Sequence, residues 1–196
     1  MPPSPWIGCW LVEQSAGSDL GFLLIDYPGF GECEGSASPE SILASSKAAW
    51  AHWQELYSNQ QTTQIGILGH SLGAAAALQL AETISVERVV LLSPFTSVAD
   101  MVKKMFGSWL IPLLQHRFEN RGPLMQLLKR DPPPSITIIH GTRDEVIPVE
   151  MGRELVALNP EQIHYHELVH SYHNTILQDA LPVVLQELQS ISELSD

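Results

Sequence analysis

Residues 69–73, Gly69-His70-Ser71-Leu72-Gly73, set a serine between two glycines at a spacing that suits nucleophilic chemistry. An apolar run, Ile65-Gly66-Ile67-Leu68, precedes it, and an alanine-rich stretch from Leu72 to about Ile84 follows. A strand running through a sharp turn into a helix would hold Ser71 above a sheet, at the positive end of the helix dipole, where an alkoxide or oxyanion is favoured. Gly69 and Gly73 are expected to let the backbone make that turn, and Ala74 to Ala77 to let the helix close on the sheet. The bland alternative is a glycine-rich turn that only packs a helix against a sheet. It leaves the downstream residues unexplained.

A serine hydroxyl is a poor nucleophile near neutral pH and needs an adjacent base, itself oriented by a carboxylate. Two later segments supply such groups in the order serine, acid, histidine. Asp144 sits in His140-Gly141-Thr142-Arg143-Asp144, just past an apolar run, and His173 sits in His170-Ser171-Tyr172-His173-Asn174, just past another. Glu145 is the rival acid and His170 the rival base. His140, His164 and His166 fall within strands and read as structural or surface residues, while His70 is held in the elbow as a packing residue that also borders any bound substrate. Ser71, Asp144 and His173 are the residues expected to be catalytic.

The elements that must position them alternate. Strands are expected at Phe22–Asp26, Ile65–Leu68, Arg88–Leu92, Ser135–Ile139 and Ile163–Leu168, each a short apolar run of the kind that is buried on both faces of a parallel sheet. Helices are expected from Ser4-Pro5 to Gly17, from Ser38-Pro39 to about Tyr57 with Ile42, Trp50 and Trp53 inward, from Leu72 to Ile84, from Pro148 to Leu158, and from Thr175 to Leu194. The pattern predicts an α/β fold, a doubly wound, mostly parallel sheet, in one domain spanning 1–196. Residues 95–134 break the rhythm with short apolar helical pieces around Gly107, Pro112 and Gly122-Pro123, as a lid inserted near the carboxyl ends of the strands would. Val102, Met105, Phe106, Trp109, Leu110 and Ile111 of that lid are candidates to line an acyl pocket, with plain core packing the alternative.

Bulk composition narrows the partners. The 22 acidic residues outnumber the 10 basic ones, which argues against nucleic acid and, less strongly, against anionic membrane surfaces. Two cysteines, Cys9 and Cys33, imply no disulfide framework and favour a reducing, cytoplasmic setting. No run approaches the ~20 apolar residues of a membrane span. No dinucleotide fingerprint follows the first expected strand, and no His/Asp cluster has metal-ligand spacing, so neither cofactor nor metal is expected. Oligomeric state is not legible.

These residues together resemble the α/β-hydrolase superfamily, from about Phe22 to the C-terminus, and are most similar to its branch of Bem-like hydrolases and protein depalmitoylases. The matching signatures are Asp26-Tyr27-Pro28-Gly29-Phe30-Gly31 with Gly35, the elbow, Ser93-Pro94-Phe95-Thr96-Ser97, Arg117-Phe118-Glu119-Asn120, His140 to Pro148, and His173-Asn174. The resemblance implies a serine hydrolase that cleaves carboxylic esters or thioesters, with a small or lipid-like acyl substrate. It implies the backbone N–H of Leu72 as an oxyanion-hole donor, and Tyr27, His70, Phe95, Met105 and Trp109 as substrate-binding residues. The likeness departs at the front. Family members carry earlier strands, one of them lying between the Phe22 and Ile65 strands, and a His-Gly-rich loop that gives a second oxyanion N–H. Neither has a counterpart here, which implies a front-truncated sheet with a gap at its centre. A non-catalytic binding module of the same fold, and a serine peptidase, are the alternative functions.

Overall fold

Four of the five expected strands form: β1 (Gly66–His70), β2 (Arg88–Leu92), β3 (Ser135–Gly141) and β4 (Ile163–Leu168). The structure, a computed structural model, describes residues 7–18, 20–57, 64–114 and 116–189. The strands pair in parallel in the order β1-β2-β3-β4, with Leu68 opposite Val90, Val90 opposite Thr137 and Ile138 opposite Tyr165. Sequential parallel order requires a crossover after every strand, and helices supply them.

Those crossovers are α3 (Leu72–Ala81) between β1 and β2, α5 (Arg121–Leu128) before β3, and α6 (Val149–Val156) between β3 and β4. They cover one face, where Leu78, Leu124, Leu127 and Leu155 meet Val89, Leu91, Ile136 and Ile138. The other face, carrying Val90, Leu92 and Ile139, is covered by α1 (Ile7–Gln14), α7 (Ile176–Asp179) and α8 (Leu181–Gln189) through Leu11, Ile176, Val184 and Leu188. Period-two alternation in β2 and β3 thus feeds two apolar layers, and the sheet is doubly covered. The expected closing helix is broken at Ala180, just before Pro182, whose missing N–H suits the start of a helix rather than its middle.

The fifth expected strand, Phe22–Asp26, is corrected. It forms no ladder, because among the described residues β1 pairs with β2 alone and no strand lies beside the Phe22 run. Leu20 and Phe22 pack instead into the layer with α1 and α8, while Leu23 and Leu24 remain exposed. An apolar run yields a strand only where a neighbour takes its backbone groups.

α2 (Pro39–Leu56) begins at the expected cap: the Ser38 hydroxyl accepts from Ser41 N–H, and the Ser41 hydroxyl accepts from Ser38 N–H. Ile42 is fully buried as expected, but Trp50 and Trp53 are only half-buried and stack on each other with ring centroids 5.3 Å apart. The Ser4-Pro5 cap lies outside the described residues. Within the expected lid, α4 (Val98–Phe106) and a 3₁₀ helix at Ser108–Leu113 bury no residue, whereas α5 is part of the core. Residues 95–98 are fastened to Phe118 and Asn120 by Val98 N–H to Phe118 O (3.0 Å), Asn120 N–H to Thr96 O (3.0 Å) and Asn120 Nδ2 to Phe95 O (2.8 Å). No helix among the described residues is long and apolar enough to cross a membrane.

Candidate active site

β1 ends at His70 and α3 begins at Leu72, so Ser71 alone makes the turn between them, at φ 56°, ψ −118°. A left-handed φ on a residue with a Cβ is strained, and here neighbouring elements hold it: Ser71 N–H donates to Leu92 O (3.0 Å) and Ser71 O accepts from Ala74 N–H (3.0 Å). The two glycines of the motif differ. A Cβ at Gly69 would lie 2.2 Å from the Gly73 carbonyl oxygen, so the turn closes only over a glycine. A Cβ at Gly73 would meet nothing within 4 Å, and its glycine is not what permits the turn. The Ser71 hydroxyl makes no hydrogen bond to the described residues and stands at the mouth of α3, beside the backbone N–H of Leu72.

Asp144 and His173 come together from loops after β3 and β4. His173 Nδ1 lies 2.8 Å from Asp144 Oδ2 and 3.0 Å from Oδ1. The Asp144 side chain is wholly buried, and its Oδ1 also accepts from the N–H groups of Val146 (2.9 Å) and Ile147 (2.7 Å). Burial alone would raise its carboxyl, but the nearby His140 and His173 rings and the Ile147 N–H outweigh it and hold the group well below the usual carboxylate range. The rivals fall elsewhere. Glu145 accepts from the backbone N–H of His173 (3.3 Å), not from its ring, and His170 is exposed in a left-handed conformation (φ 76°). Gly141 allows the close approach that joins the loops, since a Cβ there would lie 2.3 Å from Ser171 O.

His70 binds these loops to the elbow. Its ring lies 4.7 Å from the His173 ring, centroid to centroid, and its Nε2 is buried with no partner among the described residues. Burial, and then the neighbouring His173, push its imidazole down to about 4, so it is neutral at physiological pH. Tyr27 and Phe95 share one apolar cluster with Leu72, Ile147 and Met151, Phe95 deep within it. Met105 and Trp109 are not gathered there: they are 53% and 73% exposed on α4 and the 3₁₀ helix, with Trp109 Nε1 donating to Phe106 O (2.9 Å).

Two contacts of the site escaped sequence reasoning. His140, read as a structural strand residue, has its Nε2 3.5 Å from Asp144 Oδ2, and its place four residues before that aspartate was the available signal. Ser93, just past β2, is fully buried at φ 44°; it stands in the signature Ser93-Pro94-Phe95-Thr96-Ser97, which gave it no role. No group of three or more His, Cys, Asp or Glu among the described residues is arranged to hold a metal ion.

Residues 2–124 match the profile of the Alpha/beta hydrolase family. The chain belongs to that family. This alpha/beta hydrolase is similar to uncharacterized protein Rv2307c of Mycobacterium tuberculosis, with 32% identity over 149 residues that cover 76% of this chain and 51% of the relative. It spans about half the length of the relatives it matches, YfhR of Salmonella typhi among them, at 27% identity with 78% of this chain and 53% of that protein covered. Its fold is shared with the monoacylglycerol lipase of Paleococcus ferrophilus, at TM-score 0.63 and 19% identity, with 94% of this chain and 90% of that chain covered.

Proposed function

We propose that this alpha/beta hydrolase cleaves carboxylic esters or thioesters through an acyl-enzyme on Ser71. The observation that carries the reading is the buried Asp144 carboxylate holding His173 Nδ1 at 2.8 Å, with the His173 ring 4.7 Å from that of His70, the residue before a serine at φ 56°. With Nδ1 committed to Asp144, Nε2 is the ring nitrogen left to act on the serine hydroxyl. Ser71 Oγ attacks the acyl carbonyl carbon and its proton passes to His173 Nε2, while Asp144 stabilises the imidazolium. The tetrahedral oxyanion meets the Leu72 N–H at the positive end of α3. Collapse breaks the bond to the leaving oxygen or sulfur, which takes the proton from Nε2. Water then repeats the sequence on the acyl-enzyme and releases the acid.

Esters are suggested by the lipase among the structural neighbours, and thioesters, S-acyl groups included, by the resemblance to the depalmitoylase branch. The Tyr27, Phe95 and Leu72 cluster supplies an apolar wall for the acyl chain. One observation favours a non-catalytic reading instead: no hydrogen bond joins Ser71 Oγ to His173 among the described residues. Such bonds are often long before substrate binds. Intact-mass measurement after fluorophosphonate treatment decides between them. A single adduct on the parent protein, absent from Ser71→Ala, is expected. A folded protein that takes no adduct would sink the catalytic reading.

A further inference from the structure

His140 is fully buried on β3, four residues before Asp144, and its two ring nitrogens have very different surroundings. Nε2 lies 2.9 Å from the Ile147 carbonyl oxygen and 3.5 Å from Asp144 Oδ2. Nδ1 is buried with no hydrogen-bond partner among the described residues, and faces Gly152 of α6, where a Cβ would come within 2.5 Å. A carbonyl only accepts, so Nε2 carries the hydrogen. Nδ1 is left buried with nothing to pair with among the described residues.

Two features here oppose stability. An orphaned nitrogen is buried in the core, and a glycine sits inside α6, where alanine would favour the helix. A leucine at 140 with an alanine at 152 would remove both. What the histidine does offer is one hydrogen bond, and its place is informative. Ile147 is held at both peptide groups: its N–H donates to Asp144 Oδ1 (2.7 Å), and its C=O accepts from His140. The turn at 144–147 is thereby closed at its far end by a group anchored in the sheet.

We infer that His140 is a positioning residue for Asp144: its Nε2–H fixes the Ile147 carbonyl, so that the turn cannot swing and the carboxylate stays aimed at His173 Nδ1. The inference rests on the proposed reading of Asp144 as the acid that orients His173. His140 acts through that turn, and Gly152 is the opening in α6 that admits its ring.

Proton NMR of the full chain tests this, because a hydrogen bond between an imidazole and a carboxylate gives a far-downfield resonance, identified here by its loss in His173→Gln. Three variants are compared by that resonance, by thermal melting and by fluorophosphonate labelling. His140→Gln places an amide N–H near the position of Nε2; it is expected to keep the resonance and to label within about threefold of the parent. His140→Leu removes the donor; it is expected to lose the resonance and to label on the order of tenfold to a hundredfold more slowly, as when a supporting hydrogen bond behind a reactive group is removed, although it remains folded. Gly152→Ala leaves every hydrogen-bonding group in place and drives a methyl against Nδ1; it is expected to shift or broaden the resonance. This third variant decides the matter should the leucine protein not fold. A resonance unchanged in His140→Leu or in Gly152→Ala, or lost in His140→Gln as fully as in the leucine protein, would overturn the inference. If the parent shows the resonance but takes no label, the proposed function fails, and the spectra still decide the role of His140.

Discussion

Asp144 and Glu145 are adjacent carboxylates at the same loop, separated by burial and by their hydrogen bonds. The Asp144 side chain is wholly buried, with its two oxygens 2.8 and 3.0 Å from His173 Nδ1; Glu145 is exposed and accepts from the backbone N–H of His173. In the proposed mechanism Asp144→Asn is expected to slow fluorophosphonate labelling by about 10³–10⁴, because an amide misorients the imidazole tautomer. Glu145→Gln is expected to stay within about tenfold. Labelling rates of the two variants, read against the parent, check the assignment. His70 adds a pH signature to the same site. Its imidazole has a folded pKa of about 4 against 6.5 for the free group, so as pH falls the unfolded chain binds the proton first. The stability that neutral His70 contributes is complete above about pH 6.5 and is lost as pH falls towards 4, by up to about 3 kcal/mol. His70→Phe removes that proton uptake, so its melting midpoint should fall less than that of the parent between pH 6.5 and 4; parallel curves would refute the assignment.

At the scale of elements, the elbow gives its two glycines different roles. Gly69 sits where β1 meets the start of α3, and an added methyl would collide with the Gly73 carbonyl, which is backbone and cannot yield. Gly69→Ala is expected to unfold the elbow and lower the melting midpoint sharply. Gly73 lies in the first turn of α3 with open space at its Cβ, so Gly73→Ala should be tolerated and stabilise by up to about 1 kcal/mol through helix propensity. Thermal melts of both variants check this, and equal losses would contradict it. The G-x-S-x-G pattern was legible because it stood between a strand and a helix. That its two glycines are unequal was not, since it depends on how near the Gly73 carbonyl comes to Gly69.

Across the whole molecule, the last helix is tied to the middle of the sheet by a buried polar cluster. Arg88 of β2 pairs with Glu187 of α8, and the Thr137 hydroxyl of β3 donates to the same carboxylate at 2.9 Å. Taking away one member of such a pair leaves its partner's charge buried. Arg88→Met is accordingly expected to destabilise by about 3–5 kcal/mol, whereas Arg88→Met with Glu187→Leu recovers most of the loss. Denaturant unfolding of the single and double variants checks both. The cluster lies away from Ser71, so the double variant should label like the parent.

The alternation of elements and the elbow are legible in the sequence alone, as is the order in which Ser71, Asp144 and His173 follow one another. Each of these is local: an apolar run of the right length, a turn flanked by glycine, a polar residue just past a strand. It also favoured Asp144 over Glu145 and His173 over His170, the pair whose side chains meet in the fold. The rest depends on contacts between residues far apart in the chain. Phe22–Asp26 has the composition of a strand, but a ladder needs a neighbour and none stands beside it among the described residues. Met105 and Trp109 have the composition of a pocket wall and lie at the surface, because α4 and the 3₁₀ helix bury nothing. His140 looked like any strand histidine until Ile147 and Asp144 folded back onto its Nε2. Apolar periodicity is written along the chain, whereas the partner of a backbone group or a ring nitrogen is set by residues distant in sequence.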